Sequence, residues 1–91
     1  MKTIILNFEE CRYLGAIHKV LKEGFDFPDY YGENLDALWD CLRYYCKSEL
    51  LVIIKGLSQL PDEFDEYIKK MIEIFADVQE ETPNIMFRIE S

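Results

Sequence analysis

The sequence predicts an α/β fold on a small three-stranded parallel sheet, and three observations lead there. Three apolar runs, residues 3–8, 50–54 and 85–89, read as strands. Segments with apolar residues at helical spacing separate them. Strands that alternate with helices pair in parallel through right-handed crossovers, with the helices packed on the sheet to cover its apolar faces. Ninety-one residues are expected to form one domain, residues 1–91. An apolar fraction of 49% gives that domain enough core formers and argues against disorder.

Taken in order, Thr3-Ile4-Ile5-Leu6-Asn7-Phe8 is β-branched and apolar and forms the first strand. Leu14, Ile17, Val20 and Leu21 then recur at helical spacing up to Gly24, which is expected to stop that helix. Residues 25–32 mix Pro and Gly with aromatics and read as a loop. A second helix runs from about Asn34, a good N-cap, to Tyr45. The continuous run Leu50-Leu51-Val52-Ile53-Ile54 suggests a strand buried on both faces. After a linker holding Gly56 and Pro61, Phe64, Ile68, Met71, Ile72 and Phe75 mark a long amphipathic helix ending before Pro83. Residues 85–89 close the chain as the third strand.

Charge narrows the function. Ten Lys and Arg against eighteen Asp and Glu leave a net charge of −8. Nucleic-acid binders carry the opposite footprint, and anionic membranes repel such a chain. A DNA mimic needs acids spread along a longer surface than this one. No run approaches the ~20 apolar residues of a membrane span. The N-terminal apolar run is too short for a signal peptide, and Cys11, Cys41 and Cys46 have no framework spacing. A cytoplasmic location with reduced thiols is expected.

The informative stretch lies between Lys22 and Arg43, which encloses no cation, six acids and five aromatics. On a helical wheel Leu35, Leu38, Cys41, Leu42 and Tyr45 share one face, which should dock the helix on the sheet. Asp36, Asp40 and Arg43 fall opposite, with Trp39 at the edge. Packing explains the first face but not the second. A Trp beside two carboxylates suits either a protein-binding face or a half-buried structural Trp.

Tyr30-Tyr31-Gly32-Glu33-Asn34-Leu35-Asp36-Ala37-Leu38-Trp39-Asp40-Cys41-Leu42 resembles the hallmark segment of the barstar family. Leu14-Gly15-Ala16-Ile17-His18 resembles that family's first helix around its histidine, and Pro28 sits where its loop has a proline. The resemblance implies a barstar-like fold with about four helices. It also implies a cytoplasmic inhibitor of a basic, extracellular-type ribonuclease, without cofactor, metal, nucleic acid or membrane, and monomeric when free. In that reading Asp40 imitates a substrate phosphate and Asp36 pairs with a further basic group. Tyr30 and Trp39 pack beside the pocket, Asn34 and Gly32 shape the loop, and Asp77 supplies a contact usually made by a glutamate. Tyr31 and Tyr45 are lesser candidates. Arg43 stands where the archetype has a small polar residue and could pair with Asp40.

Three other readings stay open. Asp36 and Asp40, one turn apart, could serve as an acid–base pair, in which case a concave pocket should surround both. Cys11, His18, Cys41 and Cys46 could ligate a metal, against the usual tighter and repeated spacing. Cys41 also reads as a small core residue, and His18 as a histidine satisfied by a structural partner. The same fold could also be an immunity or interaction module for a different basic protein toxin.

Overall fold

The computed structural model describes residues 2–45 and 49–90, apart from the side chain of Tyr45. In chain order it contains β1 (Lys2–Asn7), α1 (Leu14–Phe25), α2 (Leu35–Tyr45), β2 (Leu50–Lys55), α3 (Asp65–Glu81) and β3 (Ile85–Glu90). Two single 3₁₀ turns, Leu57–Gln59 and Asp62–Phe64, lie between β2 and α3. The described residues thus hold three α-helices rather than about four. The linker that could have formed another is broken by Pro61 and by Gly56, whose φ of 81° is left-handed. A side chain at Gly56 would also put its Cβ 2.6 Å from the Glu9 backbone nitrogen.

The three strands are parallel in the order β1-β2-β3. Register aligns Ile4 with Val52 and Phe87, and Leu6 with Ile54 and Ile89. Both crossovers move the same way across the sheet, so right-handed connections place α1 and α3 over one face. Ile4, Leu6, Val52, Ile54 and Ile85 lie under those helices in one core with Phe8, Ile17, Leu21, Leu38, Leu42, Met71, Phe75 and Val78. Among the described residues no helix covers the other face. Its Ile5 is 56% and its Met86 53% exposed. Ile53 is buried on the middle strand, flanked in register by Ile5 and Arg88, but it stands outside the helix-covered core. The continuous apolar run of β2 therefore reflects its central position and not helices on both sides.

α1 lies so close to β1 that a Cβ on Gly24 would fall 2.4 Å from Leu6 Cδ2. Gly24 is inside the helix for that reason and does not end it. The stop comes at Asp26, in the left-handed region at φ 58°, whose N–H reaches the Lys22 carbonyl. α2 packs chiefly against α3, not against the strands as its leucine face suggested. Leu38 and Leu42 join the common core and are fully buried.

Candidate functional site

The loop that leads into α2 is stitched to the core by alternate aromatics. Phe25 and Phe27 stack at 5.2 Å between ring centroids, and Phe27 meets Tyr31 at 5.1 Å. Tyr31 is buried, and its hydroxyl lies 2.7 Å from Nδ1 of His18. Nε2 of the same ring is hydrogen-bonded to the Tyr67 hydroxyl on α3. Tyr31 is thus a core anchor and not an exposed contact, because a phenol at this point is needed to satisfy a buried imidazole. Burial holds His18 below the usual imidazole pKa against an opposing pull from Glu33. Burial also pushes the Tyr31 hydroxyl far above the usual phenol range, so both groups are neutral.

With Tyr31 turned inward, its neighbour Tyr30 projects outward and is 71% exposed. Glu33 turns the chain through a left-handed φ of 52°. Asn34 then caps α2 as expected, its Oδ1 accepting from the Ala37 N–H at 2.8 Å. Its Nδ2 donates to the Gly32 carbonyl at 3.2 Å, which ties the loop to the helix start. Gly32 is exposed at the tip.

Along α2 the wheel is realised at the described side chains, Tyr45 lying outside them. Leu38 and Leu42 are buried, and Leu35 and Cys41 are half-buried. Asp36, Asp40 and Arg43 are exposed, while Trp39 is half-buried and packs on the core from the edge. Asp36 in the first turn also suits the helix dipole. Arg43 does not pair with Asp40. Its Nε lies 3.5 Å from Oε2 of Glu81 on α3, and its guanidinium stands 5.3 Å from the centre of the Trp39 ring. Among the described residues neither Asp36 nor Asp40 takes part in an ion pair.

Two open hollows flank Arg43. Tyr30, Asp40, Cys41, Arg43 and Tyr44 line one of about 480 Å³. Trp39, Asp77, Glu80 and Glu81 line another of about 510 Å³ between α2 and α3. The fold therefore brings Tyr30, Asp40 and Arg43 to one hollow, and Trp39 and Asp77 to the next, while Asp36 and Asn34 line neither. Tyr44, 67% exposed, and Glu81 are additions that the sequence reading missed. Both were accessible in principle: Tyr44 follows Asp40 by four residues and Glu81 follows Asp77 by four, so each pair shares a helix face.

The arrangement does not resemble acid–base machinery. Asp40 and Asp36 share no pocket, and the Cys41 thiol beside Asp40 is pushed up by burial and then by that carboxylate, which suppresses thiolate. Among the described residues no three His, Cys, Asp or Glu side chains gather where they could hold a metal. Both ring nitrogens of His18 are already engaged by tyrosines, and Cys46 lies outside the described residues. What remains is an exposed face of carboxylates and aromatics, with shallow hollows suited to incoming cationic side chains.

Residues 1–91 match the family described as Barstar (barnase inhibitor). The chain belongs to the barstar family. It is similar to a Bacillus subtilis (strain 168) protein named "Putative ribonuclease inhibitor YrdF", at 36% identity over 81 residues, 89% of each chain. The barstar family is one of inhibitors, and the chain is not an enzyme. In this barstar-family chain the hallmark segment has two jobs that alternate along the backbone: Tyr31, Leu38 and Leu42 hold the core, and Tyr30, Asp36 and Asp40 face solvent. No helix among the described residues is long and apolar enough to cross a membrane.

Proposed function

We propose that this protein inhibits a basic, extracellular-type ribonuclease of the barnase kind inside the cytoplasm, acting as a monomer until it binds. The observation that carries this reading is the exposed acidic face of α2. Asp40 and Asp36 stand one turn apart there with no cation paired to either among the described residues. A ribonuclease holds substrate phosphates with Arg, Lys and His. A carboxylate offered at hydrogen-bonding distance to those groups fills the site with an anion that cannot be cleaved. Asp40 is assigned the phosphate position, and Asp36 a second basic group at the pocket mouth. Tyr30 and Trp39 provide aromatic area beside it, where such side chains make the strongest anchors. Asn34 fixes the loop that presents Tyr30, and Asp77 extends the acidic surface onto α3. As a side chain shorter than glutamate, Asp77 makes its contact at longer range or through water.

The test is a titration of purified protein against a barnase-type ribonuclease while RNA cleavage is followed, with Asp40→Ala in parallel. Stoichiometric inhibition is expected from the wild type. Asp40→Ala should weaken it by about a hundredfold or more, since it leaves a buried basic cluster without its counter-charge. Failure of the wild type against several such nucleases would turn the reading to an immunity protein for another basic toxin.

A further inference from the structure

Among the described residues Arg43 is the one cation in a long acidic reach of this surface. No Lys or Arg occurs between Lys22 and Arg43, or between Lys70 and Arg88. Four residues beyond Trp39 on α2, it extends toward the C-terminal half of α3. Its guanidinium stands over the Trp39 ring at 5.3 Å from the centroid, and its Nε is 3.5 Å from Oε2 of Glu81. Trp39 and Glu81 both line the hollow that Asp77 and Glu80 complete. Arg43 also lines the neighbouring hollow around Asp40. Arg43 therefore separates the two hollows and has its charged end engaged with one of them.

An aromatic face with a carboxylate beside it is a receptor for a guanidinium, through cation–π attraction and a charge-assisted hydrogen bond. Here the receptor already contains one. The Arg43 and Glu81 side chains are 53% and 50% exposed, so their attraction is screened by water and the contact is weak. A contact that weak can be displaced, yet it still disfavours a second cation at the same place.

We infer that Arg43 is an intramolecular stand-in for a partner's guanidinium, holding Trp39 and Glu81 in the free protein and so restricting which nucleases the face accepts. The inference rests on the inhibitor reading and deepens it. A nuclease that brings an arginine to Trp39 must first displace Arg43. One that brings a neutral or acidic group meets no such obstacle. Arg43 is in these terms a selectivity residue, and Asp40 remains the anchor.

Two measurements test it. Trp39 is the sole tryptophan, so its fluorescence reports the receptor without interference. Argininamide at millimolar concentration should change that emission saturably in Arg43→Ala and in Arg43→Met, which keeps the aliphatic stem. The wild type should need about tenfold more argininamide for the same change, and the double variant Arg43→Ala/Glu81→Gln should stay unmoved, with sodium chloride of equal ionic strength as the blank. Equal responses in wild type and Arg43→Ala, or none in either single variant, would overturn the inference. Against a barnase-type ribonuclease with an arginine at the rim of its active site, Arg43→Ala should bind about tenfold tighter, and the gain should vanish when Glu81→Gln is added. Unchanged or weaker binding by Arg43→Ala would also overturn it. If no variant inhibits any nuclease while the argininamide pattern holds, the nuclease reading fails and the Arg43 contact stands.

Discussion

His18 commits both ring nitrogens to tyrosine hydroxyls, and that choice ties the loop before α2 to the core. In the neutral ring one nitrogen carries hydrogen and the other does not, so one hydroxyl accepts while the other donates. An imidazolium would need both hydroxyls to accept, in a place that is almost wholly dry. Burial lowers the folded-state pKa of His18, so below about pH 6.5 the unfolded chain binds the proton more readily than the folded one. Stability from this group is complete above that pH and is lost as pH falls through the window down to the depressed folded value. The slope there is at most about 1.4 kcal/mol per pH unit. Urea unfolding at pH 7.5 and 5.5 should show the wild type weakening on acidification. His18→Gln should be weaker at the upper pH but less pH-dependent. An equal acid effect in both proteins would remove His18 from the account.

At the scale of elements, the order and type of the segments were legible because each rule involved is local. Apolar runs located the three strands of the described residues and period-3.6 spacing their three helices, and Asn34 marked the start of α2 by cap chemistry alone. What escaped depended on contacts between elements. Gly24 looked like a stop and is instead the point where α1 meets Leu6, a neighbour distant in sequence. Tyr31 and Tyr30 are the same residue type side by side, and the inward one is set by partners elsewhere in the fold, His18 on α1 and the Phe27 ring. Arg43 met Glu81 across α2 and α3 in preference to Asp40 on its own helix. The true end of α1 offers a direct test. Asp26 carries a left-handed φ of 58°, and its carboxylate lies at the negative end of the helix dipole. Asp26→Gly removes both costs and should stabilise by up to about 1 kcal/mol, offset in part by the greater freedom of glycine in the unfolded chain. Thermal melts should show a raised Tm with inhibition unchanged, and a lowered Tm would mean that the Asp26 side chain has a favourable role.

For the molecule as a whole, the one-sided sheet and the charge distribution work in the same direction. With α1 and α3 over one face of the strands, α2 is pushed outward against α3, and its acidic edge joins that of α3 in one surface. Asp36, Asp40, Asp77, Glu80 and Glu81 are all exposed on these two helices, with Arg43 set among them and Lys69 and Lys70 exposed nearer the start of α3, in a chain of net charge −8. Such a field draws a basic partner from beyond contact distance and accelerates encounter more than it tightens the final complex. Added salt shortens the reach of the field to about 10 Å at 0.1 M and about 3 Å at 1 M. Stopped-flow binding to a basic ribonuclease, followed through Trp39, should show the association rate falling by roughly one to two orders of magnitude between low and high salt, with dissociation far less affected. Substitutions should divide along the same line. Glu80→Gln, at the margin, should slow association and reduce its salt dependence, while Asp40→Ala should mainly speed dissociation. A salt-insensitive association rate would mean that the acidic surface acts only in the final contact, and that the net charge of this chain has no part in finding its partner.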